Sequence, residues 1–362
     1  MPTEVDPRLA ERVRLKMFAE ACMVLEEGVA GVRDIDMAMM LGGGIVPGPF
    51  GQADRAGLGA TLEAMQTAVS EWGDAFTPPG ILRRLVGQGR LGVESGQGFY
   101  AYPRPDEGYA DAPAKLETRG STAIIWLDSP PANSISPAMA GALEAAWEAC
   151  DGTARAVILA SANPALFCAG ADIKSFLKLD GPGVKALLDR MHGLLRSMQR
   201  SRTVTIAAVN GLAYGGGCEL AMGCDVRLAG ASATFAQPEV NLGIIPGFGG
   251  TQRLPRLVGE AKALEMNLTG DAISATDAAE HGLCNRVLAD HELFDAALGW
   301  ARKIGDQAPL AVQHIKQVSA KGDLENGLSA EKQGFAAVFG SDDAREGITA
   351  FVEKRPPRWQ GS

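Results

Sequence analysis

Two glutamates in the second half of the chain stand where a carboxylate could move a proton. Glu219 lies in VNGLAYGGGCELAMGCDVRLAG (209–230), just after the glycine run 215–217. The pattern reads as a strand, a glycine turn and a helix opening at about Cys218. Free amide N–H groups face outward at a helix start, and the helix dipole adds positive potential there. Glycines at the turn let a ligand come close to the backbone. Such a turn suits an oxygen that gains negative charge during reaction. Glu239 follows Pro238 in SATFAQPEVNLGIIPGFGGTQRLPR (232–256). A second small-residue turn, FCAGADIK (167–174), follows the strand AVILAS and could offer another free amide. Two carboxylates and two amides are a toolkit for proton transfer beside a carbonyl. Taken singly, each piece has an ordinary reading. A first-turn glutamate matches the helix dipole, Glu239 is a solvated loop residue, and the glycines are a plain loop.

Other chemistries find little support. Cys218 and Cys224 do not share a helix face and read as small packing residues. The six cysteines form no C-x-x-C pair, and His192, His281, His291 and His314 show no metal-ligand spacing. A net charge of −9 argues against general nucleic-acid binding. No uninterrupted apolar run is long enough for a membrane span, and MPTEVDPRLAERVRLK lacks a signal-peptide core. A cytoplasmic setting is the expectation.

The elements that must position these residues change character along the chain. At 362 residues it is comfortable for two domains. The first region is mostly helical. LAERVRLKMFAEACMVLEEG (9–28) repeats apolar residues at helical spacing until Gly28, and further helices are expected at 33–40, 58–76 and 78–86. PRPDEGYADAPAKLETR (103–119) is polar and proline-rich, the best linker stretch. Beyond it, buried strands are expected at 122–128, 156–161, 205–211 and 225–230, with helices between them and later ones at 293–303 and 309–319. An α/β layout follows.

GQGRLG (87–92) fits the G-x-G-x-x-G pattern of a dinucleotide loop. Such a loop needs a strand before it and a helix after it. Here ILRRLV continues a helix, and VESGQGFYAY holds two more glycines, so a glycine-rich turn before a short aromatic strand is expected instead. DIDMAMMLGGGIVPGPFGQADRAGL (34–58) with LVGQGRLGVESGQGFYAY (85–102) resembles the helical C-terminal domain of the 3-hydroxyacyl-CoA dehydrogenase family. In that family a preceding Rossmann domain carries the NAD site and the catalytic His. This chain has neither, and Glu11-Arg12 stands where active members have Asn-Arg. The resemblance implies a non-catalytic copy with a packing or dimerising role.

Residues from about 116 to 362 resemble the crotonase, or enoyl-CoA hydratase, superfamily. The resemblance rests on FCAGADIK, AAVNGLAYGGGCELAMGCD, FAQPEVNLGIIPGFGGTQRLPRLVG and DDAREGITAFVEKR. It implies an α/β crotonase-like fold, a repeated ββα superhelix, with the all-α domain in front. The expected division is 1–104, a linker at 105–115, and 116–362. Carried over by position, the oxyanion-hole amides belong to Ala171 and Gly216, and the catalytic glutamates are Glu219 and Glu239. Ala169, Gly170, Asp172, Ile173, Lys174 and Gly215 would line the CoA site, with Asp172 and Ile173 near the adenine. Phe248 lies close to the expected pocket. Phe351 and Lys354 would close over the nucleotide, depending on how the C-terminal helices pack. The implied reaction adds water to a trans-2-enoyl-CoA, with CoA entering as part of the substrate and no metal or NAD. The rivals are a Δ3,Δ2-enoyl-CoA isomerase, a non-catalytic scaffold of a β-oxidation complex with a partner chain, and an acyl-CoA hydrolase or dehalogenase. Relatives of this kind form trimers or paired trimers, so a homo-oligomer is expected.

Overall fold

A computed structural model describes residues 6–45, 47–105, 111–319 and 323–362. The chain divides into two units, Met1–Pro103 and Arg104–Ser362. The first unit holds helices α1 (Pro7–Glu26), α2 (Val32–Gly43), α3 (Pro49–Ala56), α4 (Leu58–Trp72) and α5 (Gly80–Gly87). Asp6 caps α1 by accepting from the Arg8 amide, and Pro7 fits the first turn because its missing N–H is not needed there. Leu15, Phe18, Ala19 and Cys22 of α1 are buried at helical spacing. Phe18, Phe50 and Phe99 meet at the centre, with centroids 4.5 Å apart for the last pair. The helix expected over 58–76 breaks at Gly73, whose φ of 91° no helix tolerates, and resumes as a single 3₁₀ turn at Asp74–Phe76.

The G-x-G-x-x-G stretch has a packing cause. α5 ends at Gly87, and the chain then crosses Asp54 at close range. A side chain at Gly92 would fall 2.2 Å from the Asp54 carbonyl oxygen, and one at Gly98 would fall 2.1 Å from its carboxylate. Asp54 is 1% exposed and accepts from the Phe99 and Tyr100 amides and the Tyr102 hydroxyl. Asp36 likewise accepts from the Phe50 and Gly51 amides and the Tyr100 hydroxyl. The aromatic stretch is therefore not the short strand expected from the sequence. The Phe99 and Tyr100 amides go to a carboxylate, the Tyr102 amide goes to the Gly96 carbonyl, and the bridges formed here are isolated ones, Gly92 with Gln97 and Gln97 with Ala101.

The second unit begins earlier than its apolar pattern does. Residues Ala114–Arg119, at the end of the polar stretch 103–119 and across the expected boundary at 116, form strand β1, which pairs antiparallel with β2 (Thr122–Leu127). β1 is an edge strand with partly exposed Lys115 and Arg119, and that polarity hid it. The chain continues as α6 (Pro137–Cys150), β3 (Ala156–Ser161), β4 (Leu166–Cys168), α7 (Ile173–Phe176), α8 (Gly181–Arg200), β5 (Val204–Val209), β6 (Leu212–Tyr214) and α9 (Gly216–Met222). Then come β7 (Val226–Gly230), β8 (Thr234–Ala236), a 3₁₀ turn at Pro238–Leu242, α10 (Gly250–Val258), α11 (Glu260–Thr269), β9 (Ile273–Ser274), α12 (Ala275–Glu280) and β10 (Arg286–Leu288). Helices α13 (Leu293–Gly305), α14 (Pro309–Ser319), α15 (Leu324–Phe339) and α16 (Asp342–Glu353) follow.

Two sheets result, one ordered β1-β2-β3-β5-β7-β10 and one ordered β4-β6-β8-β9. From β3 onward the chain repeats one unit: a strand in the first sheet, a strand in the second, then helix. β3-β4-α7/α8, β5-β6-α9 and β7-β8-α10 are successive turns of this ββα superhelix. Strands β2, β3 and β5 are buried on both faces, as apolar runs in a covered parallel sheet should be. Side chains alternate across the sheet: Ile124, Trp126 and Ile158 pack with α13, while Ile125, Leu127 and Leu159 face the core shared with α6, α8 and the second sheet. Each ββ corner ends beside the next, so the turns after β4 and β6 become neighbours.

Candidate active site

The turn after β4 is fixed first. The Ile135 amide donates to the Gly170 carbonyl at 2.7 Å, and the Asp172 amide donates to the Ile135 carbonyl at 3.1 Å. Ala171 sits between these bonds, so its own N–H points the other way. Gly170 has φ of 100°, and a side chain there would meet the Tyr214 carbonyl at 2.8 Å and the Gly216 amide at 3.4 Å. The turn after β6 thus lies directly against it. Gly215 has φ of 49° and opens α9. A side chain at 216 would strike the Phe248 ring, and one at 217 would strike the Cys168 carbonyl. The three glycines are required by three different neighbours. Among the described residues, neither the Ala171 nor the Gly216 amide donates to a chain carbonyl. They are two adjacent, uncommitted donors.

Glu219 lies one turn into α9 and is 1% exposed. Its Oε1 accepts from the Phe248 amide at 2.8 Å and the Gly250 amide at 2.6 Å. Burial pushes its pKa up to about 7, with the charge of Glu239 adding to the rise. The Phe248 and Gly250 amides and the Arg253 cation pull the other way. Glu239 stands on the 3₁₀ turn after β8, with its Oε1 2.6 Å from where a side chain at Gly215 would begin. Its Oε2 is buried without a hydrogen-bond partner, and burial raises its pKa. Two carboxylates that hold protons unusually well therefore share one site.

They open into a cavity of about 740 Å³. Ala169, Gly170, Ala171, Gly215, Gly216, Glu219, Glu239 and Phe248 line it, together with Ile173. The sequence had pointed to all of these. It had not pointed to the apolar wall, Phe176, Val184 and Leu188 from α7 and α8 with Leu242, Ile244 and Ile245 from the segment after Glu239. Amphipathic spacing marks Val184 and Leu188 as one helix face, yet nothing in that spacing says which cavity the face meets. Asp172 and Lys174 are not in the lining. The Asp172 carboxylate caps α7 by accepting from the Lys174 and Ser175 amides, and Lys174 is exposed. Phe351 and Lys354 are not in the lining either. α16 turns Ala350 inward and leaves Phe351 85% exposed, while Lys354 ends the helix in a left-handed turn. No group of three or more His, Cys, Asp or Glu residues that could hold a metal is found among the described residues. Among the described residues, no helix is long and apolar enough to cross a membrane.

Comparison with known proteins agrees with this geometry. The enoyl-CoA hydratase/isomerase family model matches residues 117–362, and the model of the 3-hydroxyacyl-CoA dehydrogenase C-terminal domain matches residues 9–102. A probable enoyl-CoA hydratase of Rhizobium meliloti is 42% identical over 66% of this chain and 95% of its own. The short-chain-enoyl-CoA hydratase of Clostridium acetobutylicum is 39% identical over 66% of this chain and 94% of its own. The crystal structure of enoyl-CoA hydratase from Bacillus anthracis superposes with a TM-score of 0.67 at 36% identity, over 69% of this chain and 100% of that one. Through its second unit, the chain belongs to the enoyl-CoA hydratase/isomerase family.

Proposed function

We propose that the chain is an enoyl-CoA hydratase, adding water across a trans-2-enoyl-CoA to give a 3-hydroxyacyl-CoA. The observation that carries this reading is the joining of two proton-holding carboxylates and two uncommitted amides in one cavity. The thioester carbonyl would sit on the Ala171 and Gly216 amides. As water adds at C3, negative charge moves onto that oxygen, and each donor lowers the barrier by roughly 3 kcal/mol. Glu219 and Glu239 hold the water between them. Glu219, as carboxylate, takes a proton from the water, and Glu239 delivers one to C2. The pair works with a single proton, and neither NAD nor a metal takes part. CoA is part of the substrate, with Ile173 on the cavity wall and Asp172 and Lys174 outside it. The first unit acts as a packing or dimerising domain, and the protein assembles as a homo-oligomer, trimer or hexamer, in the cytoplasm.

The test follows the loss of conjugated enoyl-thioester absorbance with purified protein and crotonyl-CoA, without NAD. Turnover that falls by about two orders of magnitude or more in Glu219→Gln and in Glu239→Gln is the expected result. An inactive wild type across short, medium and long 2-enoyl-CoAs would overturn it. A 3-enoyl-CoA then separates an isomerase from a scaffold subunit.

A further inference from the structure

The loop that holds Glu219 is itself held from behind. Residues 246–250, PGFGG, send the Phe248 and Gly250 amides to Glu219 Oε1. The carbonyls of the same loop point outward to two side chains from two helices. Arg253 of α10 donates through Nη1 to the Phe248 carbonyl at 2.8 Å, and through Nη2 to Gln199 on α8 at 3.2 Å. His192 of α8 lies with Nε2 2.8 Å from the Gly247 carbonyl. A carbonyl only accepts, so that nitrogen carries the proton. Room for the guanidinium comes from Gly249, with φ of 107°, where a side chain would fall 2.1 Å from Arg253 Nη1. The loop also seats the Phe248 ring directly on Gly216.

We infer that Arg253 and His192 are positioning residues, a two-sided clamp that keeps the 246–250 loop closed on Glu219 and on the Gly216 turn. Neither touches the cavity. Glu219 cannot reach its two amide donors unless the loop stays in this place, and α8 and α10 share the task of keeping it there. The inference rests on the hydratase reading for its kinetic consequence, but not for its structural one. The charged and titratable groups around Glu219 and the clamp are Glu239, Cys218, Arg253, Arg196, Arg256 and His192. Only Arg253 among them both lowers the cost of a charge on Glu219 and holds the loop.

Four variants test this: Arg253→Met, Arg253→Lys, His192→Leu and His192→Gln. The first reading is the pH profile of turnover with crotonyl-CoA. In Arg253→Met, kcat falls about tenfold or more with KM changed less than about threefold, and the acid limb of the profile, set by Glu219, moves to higher pH. His192→Leu moves in the same direction by a smaller factor. Lys at 253 and Gln at 192, which restore a donor, recover most of the loss. The second reading needs no activity. Denaturation is followed against pH with and without Glu219→Gln in each background, which isolates the proton bound by Glu219. That titration moves upward in Arg253→Met and His192→Leu. Folded variants with wild-type kcat and an unmoved Glu219 titration would overturn the clamp, as would an effect on KM alone. A wild type that turns over no enoyl-CoA would sink the hydratase reading, and the denaturation series would still decide this one.

Discussion

At the scale of single residues, Glu219 sets a conflict between stability and activity. Its carboxyl has an ordinary pKa of 4.5 and reaches about 7 in the folded chain. The group is raised, so its stabilising effect is complete below the unfolded value and is lost as pH climbs through the folded one. Above pH 7 the folded chain carries a buried charge that the unfolded chain carries freely. Glu219→Gln keeps an oxygen for the Phe248 and Gly250 amides and removes that charge. Its stability should exceed the wild type by on the order of 3 kcal/mol at pH 8, and the gain should vanish below about pH 4.5. Urea denaturation of both chains at the two pH values measures it; a gain over the wild type no larger at pH 8 than at pH 4 would contradict the account. Both glutamates and both amides were legible in the sequence because they sit in long, ordered motifs. The residues that hold them were not. His192 meets Gly247 and Arg253 meets Phe248 through backbone carbonyls, and a carbonyl leaves no mark of residue type on its partner.

At the scale of elements, legibility followed burial. The strands β2, β3 and β5 announce themselves as apolar runs because both their faces are covered. β1 has one open side and lies in the polar stretch read as linker, while the aromatic stretch reads as a strand although Asp54 takes the Phe99 and Tyr100 amides. α14 was expected from its periodicity, but its anchor was hidden. Lys316 Nζ, on a side chain 7% exposed, bonds Asp225 Oδ2 at 2.8 Å and the carbonyls of Met198 and Thr203. Lys316→Met leaves Asp225 with only the Thr205 amide and hydroxyl. It should cost roughly 1–3 kcal/mol, and Asp225→Asn in the same chain should return part of that, because much of the loss is a half-buried charge left without its cation. The apolar wall carries a further expectation. Phe176, Val184, Leu188, Leu242, Ile244 and Ile245 face the cavity, and its titratable lining residues, Glu219 and Glu239, are both acidic. An acyl chain ending in a carboxylate finds no cation there. Its kcat/KM should fall about two orders of magnitude or more below that of an uncharged chain of equal length, and equal values would refute this reading of the wall.

At the scale of the whole molecule, the two units are each built around cores of their own. The buried cluster of the first unit runs from Leu15 to Leu85, and those of the second run from Ala114 to Cys284 and from Ile124 to Ala301. The sequence shows this as a shift from helical to strand periodicity across a polar, proline-rich stretch. It does not show why a dehydrogenase-type helical domain should stand there, since the residues that define that domain are spent on folding it. Asp36 and Asp54 satisfy backbone amides, and the glycines of 87–98 clear space for Asp54. None of these groups is left over for chemistry. The cavity is made wholly from residues between Ala169 and Phe248. Residues 104–362 expressed alone should therefore melt in one cooperative step and keep kcat with crotonyl-CoA within about threefold of the full chain, because a unit that carries its own core and its own site loses neither on separation. A folded fragment slower by more than about tenfold would mean that the helical unit shapes the site, and would turn its role from packing to catalysis.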